Sequence, residues 1–267
     1  MIDTFEETAG AVRRLSGAQS LAEASASLPQ GAYSTLRTYG GNRIVRLAQH
    51  ARRLEDSAGG SAALPEDRLR RAIAGALRAT GHAESRLRVT FAPPRLFVSV
   101  EPFVTLPEAL YRDGVTCVTL AMHRERPQAK DTRFISQAGQ AYSALPPGVH
   151  EGLMVADDGA ILEGLSSNFF AVRRDRLQTE EARSLPGVTR SMVLELASAL
   201  LPVVPAAVRL GELPEVSECF LTSVSRGILP VVRIDHAPIG AGRPGPVSRE
   251  LTRRFEERIA REAASVF

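Results

Sequence analysis

The chain has 267 residues, of which 44% are hydrophobic and 24% are charged, and its formal net charge is +3. This composition is ordinary for a globular protein with one large or two modest domains. Acidic residues interleave with the basic ones and tryptophan is absent, which disfavours nucleic-acid binding. No apolar run is long enough to cross a membrane, and Cys117 and Cys219 match no metal or disulfide spacing. We therefore expect a cytoplasmic protein with no membrane contact and no bound metal.

The first part of the chain predicts a small α+β unit. Pro65 marks the start of a helix in which Leu69, Ile73 and Leu77 recur at helical spacing. The predicted elements in chain order are a helix within the first 30 residues, a strand at 31–38, helices at 44–57 and 65–80, and strands at 86–92 and 95–102.

A second unit follows, again with strands and helices in alternation. Its predicted elements are a strand at 114–121, a helix near 132–145, a hairpin at 152–172 turning at Asp158-Gly159, a helix at 190–201, strands at 218–224 and 228–234, and a helix at 247–264. This order predicts an α+β protein of two domains. We expect a small N-terminal domain at 1–106, a connector at 107–113 and a larger C-terminal domain at 114–267.

Lysine occurs once in this chain, at Lys130, whereas the other 32 of the 33 basic residues are arginine. A guanidinium stays protonated and is not a nucleophile, while an amine can condense with an aldehyde. Composition alone leaves two interpretations open. Either position 130 requires an amine, or an arginine bias left one lysine by chance.

Residues that would complete a pyridoxal-phosphate site around this amine occur in order along the chain. The pyridine nitrogen needs a carboxylate, which Glu163 supplies in the segment LEGLSSN. The phosphate needs an arginine, hydroxyls and the amides of a helix start. Arg53, the segment 187–190 before an apolar helix and the segment 222–225 after an apolar strand supply these groups. Each residue alone is explained as well by a surface, cap or packing role, so only their order favours the site.

Six segments resemble the class IV, fold-type IV family of pyridoxal-phosphate enzymes. They are GAYSTLR, RLAQHARRL, the region of Lys130, ILEGLSSNFF, LPGVTR and ECFLTSVSRGILPV. The family includes branched-chain aminotransferases, D-amino-acid aminotransferases and aminodeoxychorismate lyases, and the resemblance runs from Gly31 to about Leu251. It implies an α+β fold with a small α/β domain and a larger, cofactor-binding pseudo-barrel domain, and it implies a homodimer.

The resemblance also implies a role for individual residues. Lys130 would be catalytic: it would form the internal aldimine and then move the proton between the substrate carbon and the cofactor. Tyr33 and Arg37 would bind the substrate. The residues implied to hold or support the cofactor are Arg53, Glu163, Ser167, Asn168, Val188, Thr189, Ser223 and Val224.

The chain also departs from the family's patterns. Val224 stands where many members have threonine, so it offers an amide without a hydroxyl. Ile135 replaces the tyrosine that branched-chain aminotransferases carry five residues after the lysine, which argues against that specificity. The Arg-x-His pair of D-amino-acid aminotransferases is absent, and either Arg88 or Arg95 could take its place.

The function that the resemblance implies is amino transfer from a small amino acid or amine to a keto acid. The alternative is a lyase that resembles aminodeoxychorismate lyase and releases pyruvate, because the cofactor residues of the two are shared. A third hypothesis, a non-catalytic anion- or nucleic-acid-binding protein with an arginine-rich surface, predicts salt-dependent binding of polyanions and no chromophore.

Overall fold

The structure is a computed structural model that describes residues 2–8, 10–15, 17–60 and 62–267. The chain divides into two compact units. The first comprises Met1–Val104, Ala129–Gln137 and Ile259–Phe267, and the second comprises Thr105–Gln128 and Ala138–Arg258. Lys130 thus belongs to the first unit although it lies far along the chain from Arg53. No helix within the described ranges is long and apolar enough to span a membrane.

An antiparallel five-stranded sheet forms the framework of the first unit. Its strands are β1 (Asp3–Thr8), β2 (Ala11–Arg14), β3 (Ala32–Arg37), β5 (Ser85–Ala92) and β6 (Arg95–Pro102), in the order β2-β1-β6-β5-β3. The short β4 (Arg43–Ile44) pairs instead with β16 (Ala264–Ser265) from the end of the chain. The predicted β5–β6 pair turns at Pro93-Pro94, whose peptide bond is cis.

The first thirty residues contain the predicted helix, but it is short, and two strands that were not predicted precede it. Residues 3–14 contribute two strands, and the only helix among the first thirty described residues is the short α1 (Leu21–Ala26). Phe5 lies opposite Val98 of β6 and is buried in the core. Pairing with an existing sheet edge and burial of this phenylalanine explain why the segment is extended.

Two helices pack on the sheet of the first unit, α2 (Leu47–Ser57) and α3 (Glu66–Thr80). The predicted start of α2 at residue 44 is too early, because Arg46 adopts a left-handed conformation with φ of 54°. Leu54 and Ile73, one from each helix, are completely buried. The apolar residues that recur at helical spacing in α3 are therefore the ones that face the core.

A mixed sheet of nine strands forms the second unit. Its strands are β7 (Val115–Ala121), β8 (Val149–Val155), β9 (Ile161–Gly164), β10 (Asn168–Arg173), β11 (Arg176–Gln178), β12 (Val203–Val204), β13 (Val216–Ser223), β14 (Gly227–Ile234) and β15 (Ala237–Pro238). Strand β9 pairs with both β8 and β10, which closes the path β10-β13-β14-β7-β8-β9 into a barrel. Stacked Phe170 and Phe220, with ring centroids 5.0 Å apart, lie on neighbouring strands of this barrel.

The helical elements that remain are α4 (Glu108–Asp113), α5 (Arg133–Ser143), α6 (Val188–Ala197), α7 (Pro246–Glu262) and a 3₁₀ helix at Leu210–Glu215. Helix α4 lies within the segment expected to be a plain connector. Helix α6 begins two residues before its predicted start, which places Val188 and Thr189 in its first turn. The domain limits 1–106, 107–113 and 114–267 stay a prediction.

Candidate active site

Lys130 is fixed in the first unit by the backbone around it. Its carbonyl accepts from Tyr33 N at 2.8 Å, and its own N–H donates to Ser57 Oγ at 3.0 Å. Two residues later, Thr132 N donates to Gly31 O at 3.0 Å and its hydroxyl accepts from Gly31 N at 3.1 Å. A segment remote in sequence is thereby added to the start of β3, and the lysine is held beside Tyr33.

The ring of Tyr33 lies between two cations. Lys130 Nζ is 4.6 Å from the ring centroid, and the guanidinium carbon of Arg88 is 5.1 Å from it. Arg88 donates to Leu21 O and Ser25 Oγ, and its buried Nε has no hydrogen-bond partner. Burial lowers the pKa of Arg88. Because this buried cation has an unsatisfied Nε, a carboxylate would be a favourable partner for it.

Arg53 is the second buried guanidinium of this unit. Its Nη2 donates to Ser34 Oγ at 2.6 Å, and Ser34 Oγ lies 2.7 Å from His50 Nδ1. Burial lowers the pKa of Arg53 to about 10, and burial together with Arg53 and Lys130 lowers the pKa of His50 well below its usual value. His50 is therefore neutral, and its Nδ1 shares a hydrogen bond with the Ser34 hydroxyl.

The Nε of Arg53 is buried and has no hydrogen-bond partner. The side-chain contacts that the structure gives its guanidinium, Ser34 and His50, are both neutral. A buried cation with an unsatisfied donor and neutral neighbours fits an incoming anion such as a phosphate.

The remaining charged residues that the sequence singled out in this unit have other partners. The Arg37 guanidinium stacks on Tyr39 and Phe103, at 4.3 and 3.8 Å from their ring centroids. Arg95 pairs with Glu6 at 2.7 Å, which leaves Arg88 as the strand arginine near Lys130. Arg133 and Asp131, which follow the lysine closely in the chain, form an ion pair with each other at 2.6 Å.

Glu163 lies at the end of β9 in the second unit, opposite Asn168 of β10, and is 2% exposed. Its Oε1 accepts from Arg124 Nε at 2.7 Å. Its Oε2 accepts from Leu185 N at 3.2 Å and from Asn168 Nδ2 at 3.4 Å. Three N–H donors, one of them cationic, stabilise a charged carboxylate in a place where an unpaired one would be costly.

Ser167 and Asn168 support this region through different contacts. Ser167 Oγ donates to Glu151 Oε2 at 2.9 Å, whereas Asn168 Nδ2 donates to Leu185 O at 2.7 Å. A Cβ at Gly187 would clash with Asn168 Oδ1, so only glycine allows the loop before α6 to approach β10 this closely.

Val188 and Thr189 are the first two residues of α6, and both are buried. The N-cap is Gly187, which has no side chain to bond to the first-turn amides. Such amides, together with the helix dipole, favour an anion at this end. Thr222, on the neighbouring β13, has a buried Oγ1 that lacks a hydrogen-bond partner.

Ser223 and Val224 lie where β13 turns into β14. Ser223 pairs with Gly227 across a turn of three residues, and Gly227 has a positive φ of 62°. Arg226 donates to Ser223 Oγ from its backbone N at 3.3 Å and from its Nε at 3.2 Å. The two residues implied to hold the phosphate here are thus part of one tight, internally bonded turn.

The predicted residues therefore divide into two groups, one in each unit. The first unit contains Tyr33, Arg37, Arg53 and Lys130. The second unit contains Glu163, Ser167, Asn168, Val188, Thr189, Ser223 and Val224.

Sequence reasoning missed two arginines, Arg124 beside Glu163 and Arg226 beside Ser223. The chain has 32 arginines, so residue type alone could not identify either. Arg226 lies inside the segment ECFLTSVSRGILPV, and its position directly after the polar residues of that segment was the one available indication of a role.

Comparison with known proteins shows extensive similarity. The sequence profile of the family described as amino-transferase class IV matches residues 31–234. A Methanocaldococcus jannaschii protein, provisionally assigned as a branched-chain-amino-acid aminotransferase, is 25% identical over 252 residues, covering 85% of this chain and 86% of its own length.

Two solved structures are similar to nearly the whole chain. A Thermotoga maritima structure, provisionally assigned as a branched-chain amino acid aminotransferase, has a TM-score of 0.80 at 26% identity and covers 97% of this chain and 96% of its own. The T.th. branched-chain amino acid aminotransferase with pyridoxamine 5'-phosphate has a TM-score of 0.81 at 21% identity, and the match covers 99% of this chain and 98% of its own. The predicted α+β fold of type IV, with its pseudo-barrel, is confirmed.

Proposed function

The chain belongs to the class IV aminotransferase family, and from this premise we propose that it transfers amino groups with pyridoxal phosphate attached to Lys130. The observation that carries the proposal is the placement of the single lysine. The backbone of 130–132 is tied to β3 by hydrogen bonds, and the Lys130 amine lies against Tyr33. Such a fixed amine is suited to a covalent role that arginine cannot perform.

The buried polar groups of both units fit the cofactor. Arg53, with its unsatisfied Nε, is suited to the phosphate, as are the first-turn amides at Val188 and Thr189 and the turn at Ser223. The Glu163 carboxylate is suited to the pyridine nitrogen, because Arg124 favours its charged form. Pyridoxal phosphate supplies an electron-accepting ring next to the carbon that bears the substrate nitrogen.

The chain's own residues then perform the remaining tasks. Once the substrate amine has displaced it from the cofactor, the Lys130 amine would take the proton from the substrate α-carbon and return it to the cofactor carbon, acting as a general base and then as a general acid. Arg88, rather than Arg95, binds a carboxylate of the substrate, because Arg88 lies on the same tyrosine ring as Lys130. Tyr33 contacts both cations through its ring.

We propose a small amino acid or amine as donor and a keto acid as acceptor. Ile135 occupies the position of the branched-chain enzymes' tyrosine, so the relatives' branched-chain specificity is not carried over to this chain. The matching relatives are transaminases, and the comparisons do not favour the lyase alternative.

A cytoplasmic homodimer is part of the same proposal. Cys117 and Cys219 are buried free thiols, as is usual in a reducing compartment. The mass measured by sedimentation equilibrium would be twice that of one chain.

The first prediction tests the attachment. Wild-type protein mixed with pyridoxal phosphate should gain a visible absorbance band, and borohydride reduction should leave the mass label on Lys130. Lys130→Arg keeps the cation beside Tyr33 but cannot form the covalent bond, so it should gain neither the band nor the label. A label on another residue, or no label on the wild type, contradicts the proposal.

A donor screen separates amino transfer from elimination. The holo-protein is mixed with D- and L-amino acids and simple amines, with and without a keto acid, while the band is followed. Conversion that needs a keto acid to recycle supports the transaminase. Pyruvate release from aminodeoxychorismate without any acceptor would support the lyase instead.

A further inference from the structure

A buried ion pair lies next to the proposed phosphate-binding turn and has no role in the function proposed above. Glu151 on β8 is 0% exposed, and its Oε2 accepts from Arg226 Nη2 at 2.9 Å. Burial alone would lower the pKa of Arg226, but the nearby Glu151 carboxylate outweighs it, so that pKa is raised above its usual value. The guanidinium is therefore a permanent cation.

Further hydrogen bonds fix the orientation of this pair. Arg226 Nη2 also donates to Ser166 Oγ at 2.7 Å, and Ser166 Oγ lies 2.5 Å from the Tyr142 hydroxyl. Burial, followed by the Glu151 charge, raises the pKa of Tyr142, so its phenol stays neutral. Ser167 adds a hydrogen bond to the same Glu151 oxygen. The guanidinium is thus held in one plane by partners on three different segments.

The fixed guanidinium determines how the Ser223 hydroxyl is oriented. Its Oγ accepts two hydrogen bonds from Arg226, from the backbone N at 3.3 Å and from Nε at 3.2 Å. A serine hydroxyl has two acceptor lone pairs and one proton to donate. With the lone pairs directed at Arg226, the proton points away from it and is available to an acceptor outside the turn.

Resting on the proposed function, we propose that Arg226 is a positioning residue that commits the Ser223 hydroxyl to donate to the cofactor phosphate. Glu151 holds the guanidinium in the orientation that this requires. A buried ion pair is weak support for stability, because well-packed apolar residues often replace one without loss. The Arg226–Glu151 pair is explained instead by its effect on the orientation of the Ser223 hydroxyl, which faces the ligand. Val224, next in the turn, contributes no hydroxyl of its own.

The test compares two ligands that differ only by the phosphate. Dissociation constants for pyridoxal phosphate and for pyridoxal are measured by absorbance titration on the wild type and on Arg226→Lys. Lysine keeps a cation for Glu151 and the backbone N–H, but it loses the Nε–H that reaches Ser223. Pyridoxal phosphate should bind about tenfold more weakly and pyridoxal unchanged. Equal weakening of both ligands would show a merely structural role and overturn the inference.

A double-mutant cycle links the effect to the hydroxyl. Ser223→Ala should lose the same preference for the phosphorylated ligand, and combining it with Arg226→Lys should add nothing further. Additive losses would show that the two residues act separately, which overturns the inference. Arg173→Lys is the matched control, because Arg173 is a mostly buried arginine of the same unit that pairs with Glu212 and Glu215.

A third variant tests the part played by Glu151. Glu151→Gln has the shape of glutamate but releases the guanidinium, so it should lose part of the same preference. Failure of the proposed function has a different appearance: the wild type would form no covalent attachment at Lys130. Suppose that the wild type attaches the cofactor, and that Arg226→Lys and Glu151→Gln both keep the full preference for pyridoxal phosphate over pyridoxal. In that case only this inference fails.

Discussion

Single charged residues decide most of what the candidate site can do, because they are buried beside neutral groups. Arg53 and Arg88 lie among hydroxyls, a carbonyl and a neutral imidazole, and each has a buried Nε without a partner. Burying a cation in this way costs free energy that an anionic ligand can return. Glu163 and Glu151 are the reverse case, since an arginine of the chain neutralises each.

Neutral His50 makes folding sensitive to acid. Its pKa in the folded protein is well below 6.5, because burial, Arg53 and Lys130 all oppose protonation. Below about pH 6.5 the unfolded chain takes up a proton that the folded chain does not, so acid favours unfolding. This residue alone should lower the free energy of unfolding by about 1.4 kcal/mol per pH unit below that point.

Urea unfolding between about pH 7.5 and 5.5 checks this prediction. His50→Gln should flatten the dependence on pH, whereas His236→Gln, at an exposed histidine, serves as the control. The account of His50 is wrong if both variants keep the wild-type slope.

At the scale of elements, the loop before α6 can lie close to the start of β10 because residue 187 is glycine. The loop before α6 approaches β10 so closely that a Cβ at Gly187 would overlap Asn168 Oδ1. Asn168 cannot simply turn away, since its Nδ2 bonds to Leu185 O and lies near Glu163. The start of α6 and the carboxylate at the end of β9 are therefore coupled through one amide side chain.

Gly187→Ala should destabilise the protein by about 1–3 kcal/mol, because the added methyl forces the loop and the amide apart. The free energy of unfolding from a denaturant titration measures the effect. Gly211→Ala adds its methyl to open space and should change stability little. A cost at Gly187 no larger than that at Gly211 would refute this account of the contact.

At the scale of the molecule, the residues to which the resemblance gives a cofactor role are divided between the two units. The amine of Lys130 and the guanidinium of Arg53 belong to the first unit, and Glu163 and Ser223 belong to the second. A ligand that binds only the folded protein stabilises it by mass action. The gain is about 2.7 kcal/mol when the free ligand concentration is a hundred times Kd.

Pyridoxal phosphate should therefore raise the unfolding temperature and slow amide exchange in segments of both units. The segments to follow by mass spectrometry are 130–132 in the first unit and 187–189 and 223–226 in the second. Lys130→Arg, which retains the phosphate-binding groups, should show a smaller rise in temperature. Protection confined to one unit would contradict the cofactor roles proposed for residues of the other unit.

The sequence predicted the elements that have a strong local pattern. Leu69, Ile73 and Leu77 determined α3, and alternation with turn residues determined β5, β6 and the hairpin around Gly159. It failed where pairing with a distant strand decides the conformation. The segment of Phe5 became a strand because it pairs with β6, and α2 was shortened by the backbone conformation at Arg46.

The sequence by itself determined the family and singled out Lys130, because the order of short motifs and the absence of other lysines are properties of the chain alone. Only the tertiary structure chose Arg88 over Arg95 and revealed Arg124 and Arg226. In a chain with 32 arginines, composition cannot distinguish a guanidinium in solvent from one that is buried. The charge balance at each position depends on which segments meet there, and that is decided by folding.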